Sequence, residues 1–309
     1  MIIYKNLDEI EHNSGLSIAL GSFDGIHLGH EKLIKRAAEE AKNIGIKSAV
    51  FTFSNHPRDL LPGAKRTKNI ITQKEKAKII ESLGIDYLIS IKFNKEIMEM
   101  RPQDFIENIL LKKLNMKIAV CGFNYHFGRK AEGNAQILKA LGDKCGFTVI
   151  EMSPVKIGNC IISSSKIREC IENGKMDMCR NLMGRNYELL GEVVHGNRIG
   201  RTMGFPTANI MIPLNMVTPS NGVYITKCHI SGKTYDSITN IGVRPTIDDD
   251  NRKNAETYIM NFSDEVYGKN IRVEFIRKLR DEIKFASKED LRKQIEADVN
   301  ALKSQSSDF

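Results

Sequence analysis

The chain has 309 residues, 41% of them hydrophobic and 27% charged, and 46 basic side chains against 38 acidic ones give a formal net charge of +8. This composition supports a packed core in one large domain or two ordinary ones and excludes a disordered chain. No stretch approaches the ~20 consecutive apolar residues of a membrane helix, and acidic residues interrupt the N-terminal run MIIYKNLDEIEHN, unlike a signal peptide.

The first half alternates strand and helix patterns. A strand is expected at 17–20, then a helix at 31–43 with Leu33, Ile34, Ala37, Ala38 and Ala41 on one face and Gly45 as its stop. A β-branched and aromatic run at 46–53 follows, then a helix at 73–83 ended by Gly84 and a strand at 85–91. Pro102 opens a helix whose stripe is Phe105, Ile106, Ile109 and Leu110. Next come a strand at 116–121, a helix at 134–144, strands at 147–151 and 156–163, and a helix at 164–173. This order predicts an α/β fold with a doubly wound parallel sheet.

The pattern changes near Gly184-Arg185-Asn186, which sets expected domains of 1–184 and 185–309. Short strands follow at 191–195, 208–212, 222–230, 234–241, 256–262 and 271–279, and Ser231-Gly232-Lys233 has hairpin-turn composition. One long helix closes the chain, capped by Ser287 with Asp290 three residues on and striped by Leu291, Ile295, Val299 and Leu302. The expected architecture is a small β-barrel with a C-terminal helix. The tail at 304–309 is expected to fray, and no internal repeat is visible.

Six cysteines (Cys121, Cys145, Cys160, Cys170, Cys179 and Cys228) form no CxxC pair and have no histidines spaced as zinc partners. They read as reduced thiols of a cytoplasmic protein. No run of five basic residues occurs, so solvated lysines are favoured over a nucleic-acid surface, and a basic balance also suits a polyphosphate substrate.

Residues 21–34 read GSFDGIHLGHEKLI, at the passage from strand to helix. In an open α/β sheet ligands bind beyond the carboxyl ends of the strands, and a helix N-terminus there suits phosphate. Gly21, Gly25 and Gly29 let backbone approach a ligand, and His27 and His30 can donate to phosphate oxygens and stabilise charge during phosphoryl or nucleotidyl transfer. Two other readings are open: local capping or packing, and a metal pair, for which no third ligand or H-E-x-x-H spacing is present. Further on, Ser163-Ser164-Ser165-Lys166-Ile167-Arg168 again runs from strand to helix, so its hydroxyls cap the helix or bind phosphate, and the Arg168 fork suits ATP phosphates. In the β half no GxxxxGK[ST] occurs, which excludes a P-loop kinase. A glycine-rich loop at 196–204 leads into Pro206-Thr207-Ala208-Asn209, where Thr207 and Asn209 share one side of an extended segment. Such oxygen ligands suit Mg²⁺; the same residues also favour a plain turn.

The composite GxFDGxHxGH closely resembles the HxGH nucleotidyltransferase superfamily, and IISSSKIRE resembles its ISSTxIR partner motif, with Ser165 where Thr is usual. CGFNYHFG and FSNHP resemble the G-x-[DN]-F-x-F-G and F-x-P-H-P segments of bacterial FAD synthetases, with Tyr125 and Asn55 as departures. GEVVHGNRIGRTMGFPTANI, NGVYITKC, NIGVRPT, ETYIMNF, VYG and LRDEIKF, in this order, resemble riboflavin kinase. Nearly the whole chain therefore resembles the bifunctional prokaryotic riboflavin kinase/FAD synthetase family.

The resemblance implies a Rossmann-like nucleotidyltransferase domain followed by a Greek-key-like riboflavin kinase barrel. It implies that riboflavin and ATP give FMN in the barrel and that FMN and ATP give FAD plus pyrophosphate in the α/β domain. Of the first site it implies that His27, His30 and Arg168 stabilise the transferred phosphate. There Gly21, Phe23, Asp24, Gly25, Gly29, Ser164 and Ser165 lie along ATP, and Asn124 and Phe127 contact flavin. Of the second site it implies Glu256 as the base, Thr207 and Asn209 as Mg²⁺ ligands, Gly204 and Pro206 at ATP, and Arg280 near the flavin. The implied partners are the small molecules riboflavin, FMN and ATP, with no nucleic acid and no membrane, in a cytoplasmic monomer or weak homo-oligomer. Two competing readings are weighed. One is a kinase-only protein, since Asn55, Tyr125 and Ser165 all fall in the first half. The other is a flavin- or RNA-binding regulatory module, against which the lack of a basic, aromatic-interleaved patch argues.

Overall fold

The computed structural model describes residues 1–10, 14–60, 63, 66–195, 204–243 and 253–305, the last by its backbone. The chain divides into two compact units, Met1–Ser164 and Ser165–Phe309. Most of the glycine-rich loop and the end of the C-terminal tail lie outside the described residues.

The first unit is built on six parallel strands: β1 (Ile2–Tyr4), β2 (Leu16–Leu20), β3 (Lys47–Phe53), β4 (Tyr87–Ile91), β5 (Met116–Gly122) and β6 (Thr148–Met152). Their order is β1-β4-β3-β2-β5-β6, every neighbouring pair parallel. All five residues of β2 are buried, as expected where helices cover both faces of a sheet. Helix α1 (Leu28–Asn43) turns Leu33, Ile34, Ala37 and Ala41 inward. Helix α2 (Gln73–Ser82) starts from a capping box between Thr72 and Glu75. From β2 the chain moves out through β3 and β4, then returns to the other side of β2 for β5 and β6. That reversal puts the topological switch point at the carboxyl ends of β2 and β5.

Several elements differ from the expectation. The strand expected at 156–163 is a hairpin of β7 (Lys156–Ile157) and β8 (Cys160–Ile161), turned at a left-handed Gly158. After the short α3 (Lys95–Glu99), the helix opened by Pro102 runs as α4 (Pro102–Asp104) for one turn and continues as a π-helix over Phe105–Lys113. The Leu114 amide donates to the Ile109 carbonyl, five residues back. The 105, 106, 109, 110 spacing suits this wider turn equally well, and all four side chains are buried. The edge strand β1 was not anticipated; it carries too few residues for a periodic signal.

Helix α5 (Ala135–Cys145) completes the first unit, capped by the Asn134 side chain on the Ile137 amide. The chain then runs through α6 (Ser164–Glu172) and α7 (Met176–Met183), the latter also unanticipated. It ends in a closed barrel of six antiparallel strands: β9 (Tyr187–Val194), β10 (Thr207–Met211), β11 (Gly222–Ile230), β12 (Lys233–Val243), β13 (Lys253–Ile259) and β14 (Asn270–Arg280). Ser231 and Gly232 both take positive φ, +49° and +78°, the two-residue turn that matches strand twist. A seam of fully buried hydroxyls crosses the barrel: Thr226 to Ser237 at 2.8 Å, Thr226 to Thr239 at 2.9 Å, Thr239 to Thr257 at 2.9 Å.

Helix α8 (Lys288–Gln305) lays Val299 and Leu302 on Val223, Ile225 and Ile238. Ser287 caps it, accepting from the Asp290 amide at 3.1 Å. The Arg280 fork holds it to β14, with Nε 3.0 Å and Nη2 2.8 Å from the Asp298 carboxylate. Asp298 is only 4% exposed, so truncating it strands a partly buried guanidinium. Asp298→Ala is expected to destabilise the second unit by about 3 kcal/mol, read as a fall in its urea midpoint at unchanged slope.

Candidate active sites

Beyond Leu20 the chain enters a loop that turns left-handed three times: φ is +50° at Phe23, +82° at Gly25 and +32° at Ile26. For the two non-glycine residues this costs about 1–2 kcal/mol each. Such a conformation persists only where the surroundings over-determine it. Here Phe23 and Ile26 are buried to 0% and 1% exposure. The Ser22 carbonyl accepts from Thr52 Oγ1 and from Lys76 Nζ, both at 2.9 Å. The Asp24 carboxylate takes the Ile70 amide at 3.1 and 3.2 Å, and the Asp24 carbonyl takes Ser164 Oγ at 2.8 Å.

The loop delivers two histidines to the start of α1. His27 is the N-cap, its Nδ1 accepting from the His30 amide at 3.2 Å. A neutral His27 with Nδ1 as acceptor carries its proton on Nε2, so the cap fixes the tautomer and leaves Nε2 a donor. The two rings stack, centroids 3.6 Å apart and 17° between planes, and Phe23 meets His30 edge-on at 5.2 Å. This stack explains two glycines differently from the expected backbone approach. A Cβ on Gly29 would stand 3.2 Å from the His27 ring, and one on Gly21 2.9 Å from the Phe23 ring. Only Gly25 of the three takes a positive φ.

Sequence reasoning missed Lys76. It shares the buried stripe of α2 with Ile80, and a lysine on an apolar stripe was the available signal. Burial pushes its ammonium down to about 8, against a smaller opposing pull from the Asp24 carboxylate.

At the end of β5, Asn124 is exposed and its carbonyl lies 3.0 Å from His126 Nδ1. Phe127 is 8% exposed, stacked on Tyr125 at 5.4 Å and tilted against Phe105 at 5.8 Å. Asn55 has a local account: its amide donates to the Phe93 carbonyl at 3.0 Å and accepts from the Phe93 amide at 2.8 Å, a rung that ties FSNHP to the chain after β4. On α6, Ser165 is exposed and Arg168 half-buried.

In the second unit, antiparallel register sets Asn209 opposite Glu256 and Glu256 opposite Asn240, across β10, β13 and β12. Thr207 and Asn209 lie on one side of β10, two residues apart. Asn254, which the sequence did not single out, joins the set. It is 5% exposed, and its Nδ2 donates to Asn209 Oδ1 at 3.3 Å and to Glu256 Oε1 at 3.1 Å. Gly204 takes φ +85° ahead of Phe205, whose ring meets Tyr258 edge-on at 5.3 Å, and Pro206 is exposed. The Arg280 donors are engaged by Asp298 and the Asp281 carbonyl.

The histidine cap separates two roles by mutation. His27→Ala is expected to cost about 1 kcal/mol of first-unit stability, measured by thermal unfolding. His27→Asn restores a capping acceptor without the ring, so stability returns and any chemistry of the ring does not.

Comparisons with known proteins assign each half of the chain to a family. The family model described as FAD synthetase matches residues 9–166, and that described as riboflavin kinase matches 183–305. A bifunctional riboflavin kinase/FMN adenylyltransferase of Buchnera aphidicola (from Schizaphis graminum) is 38% identical over 302 residues, 96% of each chain. Proteins of the same description are 36% identical in Haemophilus influenzae, over 94% of each chain, and 37% identical in Bacillus subtilis, over 91% of this chain and 89% of that one. A solved Streptococcus pneumoniae structure, described as a macrolide-efflux protein, has 31% identity and a TM-score of 0.89 over 98% of each chain. Among the described residues no helix of this chain is long and apolar enough to cross a membrane. The chain thus belongs to the bifunctional riboflavin kinase/FMN adenylyltransferase family.

Proposed function

We propose a division of labour in which the paired histidines serve nucleotidyl transfer and the Asn209–Asn254–Glu256 set serves phosphoryl transfer. The chain is a riboflavin kinase and an FMN adenylyltransferase, converting riboflavin to FMN and FMN to FAD at the expense of ATP.

In adenylyl transfer an FMN phosphate oxygen attacks the α-phosphorus of ATP and pyrophosphate leaves. The nucleophile is already ionised at neutral pH, so positioning and charge stabilisation suffice. His27 Nε2 donates toward the transferred phosphate, and His30 and Arg168 help to stabilise it. Gly21, Phe23, Asp24, Gly25 and Gly29 shape the ATP loop, and Ser164 and Ser165 start the helix that carries Arg168. Asn124 meets the flavin nucleotide, and Phe127 backs it from the aromatic core. The observation that carries this reading is the capped, stacked histidine pair at the sheet's switch point.

In phosphoryl transfer the ribityl 5′-hydroxyl attacks the γ-phosphorus and ADP leaves. This nucleophile must lose a proton, and Glu256 takes it. Thr207 and Asn209 would hold Mg²⁺: both offer neutral oxygens, and Asn209 Oδ1 keeps a lone pair beyond the one Asn254 uses. When bound, Mg²⁺ offsets phosphate charge. Gly204 and Pro206 border ATP, and Arg280 acts on the flavin region through α8. Functional domains of 1–184 and 185–309 are supported by the second family match, which starts at 183, and by the left-handed Gly184 that ends α7, although 165–184 fold with the second unit. The six cysteines, none of them in a disulfide, fit a reducing cytoplasm, and the enzyme works as a monomer or weak homo-oligomer without nucleic acid or membrane.

A time course with riboflavin, ATP and Mg²⁺, resolved by chromatography, is expected to show FMN rising and then passing to FAD. Glu256→Gln should abolish FMN formation and spare adenylylation of added FMN; His30→Ala should do the reverse. FAD formation at the wild-type rate in His30→Ala would refute the first assignment, and undiminished kinase activity in Glu256→Gln the second. Asn254→Leu should lower phosphorylation roughly 10–100-fold, the usual effect of removing a partner that orients a metal ligand.

A further inference from the structure

We infer that Lys76 is a positioning residue for adenylyl transfer: through the Ser22 carbonyl it sets the peptide that aims the phosphate-binding loop. The inference rests on the assignment of that loop to the adenylyltransferase site. Lys76 is 4% exposed and lies on α2, outside every motif that the sequence presents. Its Nζ reaches the Ser22 carbonyl at 2.9 Å, and Thr52 Oγ1 reaches the same oxygen from β3 at 2.9 Å. No cis peptide is present among the described residues. In a trans peptide the carbonyl and the following N–H point to opposite sides. Two donors on the Ser22 oxygen therefore turn the Phe23 N–H away from α2 and β3. They also hold the entry to the run Phe23, Gly25 and Ile26, all at positive φ, in which Phe23 supports His30 edge-on.

A neutral side chain would be the less costly choice for a core stripe, because burying an ammonium is penalised. The charge is retained where it makes the stronger, charge-assisted bond to the carbonyl. The charged group acting on it is the Asp24 carboxylate of the same loop; Thr52 and the Ser22 carbonyl are neutral. Lys76 touches no reacting atom in this account. It acts through Ser22 and Phe23.

The two-activity chain supplies its own control. Lys76→Met keeps the apolar stem and removes the donor. FMN adenylylation should fall roughly a hundredfold, the scale of a 1 Å misplacement, mainly in kcat, with the KM for ATP changed far less. Riboflavin phosphorylation by the same preparation should stay within twofold and certifies a folded second unit; circular dichroism and thermal unfolding report on the first. Lys76→Arg, which keeps a cationic donor, should recover most of the rate. The wild-type adenylylation rate should decline as pH rises through about 8, where the ammonium is lost, and Lys76→Met should lack that limb. A folded Lys76→Met with wild-type adenylylation would overturn the inference. So would equal losses in the Met and Arg variants, or an unaltered pH limb, since these mark a merely structural lysine. His30→Ala run in parallel separates the two levels: if it adenylylates normally, the site assignment falls and takes this inference with it; if it is inactive while Lys76→Met is not, only the inference falls.

Discussion

The path of the loop after β2 depends on how one carbonyl oxygen, that of Ser22, is held. A parallel sheet presents hydrophobic strand ends and no chemistry; everything reactive must come from the loops beyond them. The loop after β2 takes a path that Phe23 and Ile26 would not choose, with φ at +50° and +32°. Local propensity cannot account for it, so tertiary contacts must. Thr52 and Lys76 fix the entry at Ser22, Ile70 and Ser164 fix the middle at Asp24, and the histidine stack fixes the exit. The sum of these ties exceeds the cost of the strained backbone. The result is a loop tied at its entry, its middle and its exit.

The second unit solves the same problem by register. Asn209, Glu256 and Asn240 meet because β10, β13 and β12 pair in one frame. A slip of one residue would send all three to the opposite face. The frame is held from within by Thr226, Ser237, Thr239 and Thr257, whose hydroxyls bond to one another in a space closed to water. A slipped strand would break that seam and leave buried hydroxyls unpaired, at about 1–3 kcal/mol each. Polar residues in the barrel interior thus serve the specificity of the fold and, through it, the placing of Glu256.

Much of this was legible in the sequence where a signal is local. Alternation of strand and helix, the stop at Gly45, the cap at Ser287 and the Ser231–Gly232 turn all depend on neighbours along the chain. The position of the His27–His30 pair at a helix start was legible too, because the strand pattern before it and the amphipathic pattern after it are both local. What escaped depends on distant residues. Lys76 looks like one of three lysines in QKEKAKIIES until Ser22, 54 residues away, is seen beneath it. Asn254 acquires meaning only from the β10–β13 register. Asn55, a departure from the motif it resembles, turns out to carry its own two-bond tie to Phe93. Gly21 and Gly29 gain a further reason from the structure, since the Phe23 and His27 rings lie where their Cβ atoms would be.

The contrast between the two sites follows from the ionisation of their nucleophiles. A phosphate monoester is anionic at neutral pH and needs no base. A carboxylate beside it would repel both the nucleophile and the ATP it attacks. In the loop after β2 the one carboxylate is Asp24, and both of its oxygens are directed to the Ile70 amide, so its charge serves the loop. A ribityl hydroxyl is neutral and weakly acidic, so the kinase site requires a carboxylate with proton affinity to spare. Glu256 accepts from the neutral amide of Asn254. In the structure the two acidic groups are held differently, Asp24 by a backbone amide within its loop and Glu256 by a side-chain amide within the barrel register.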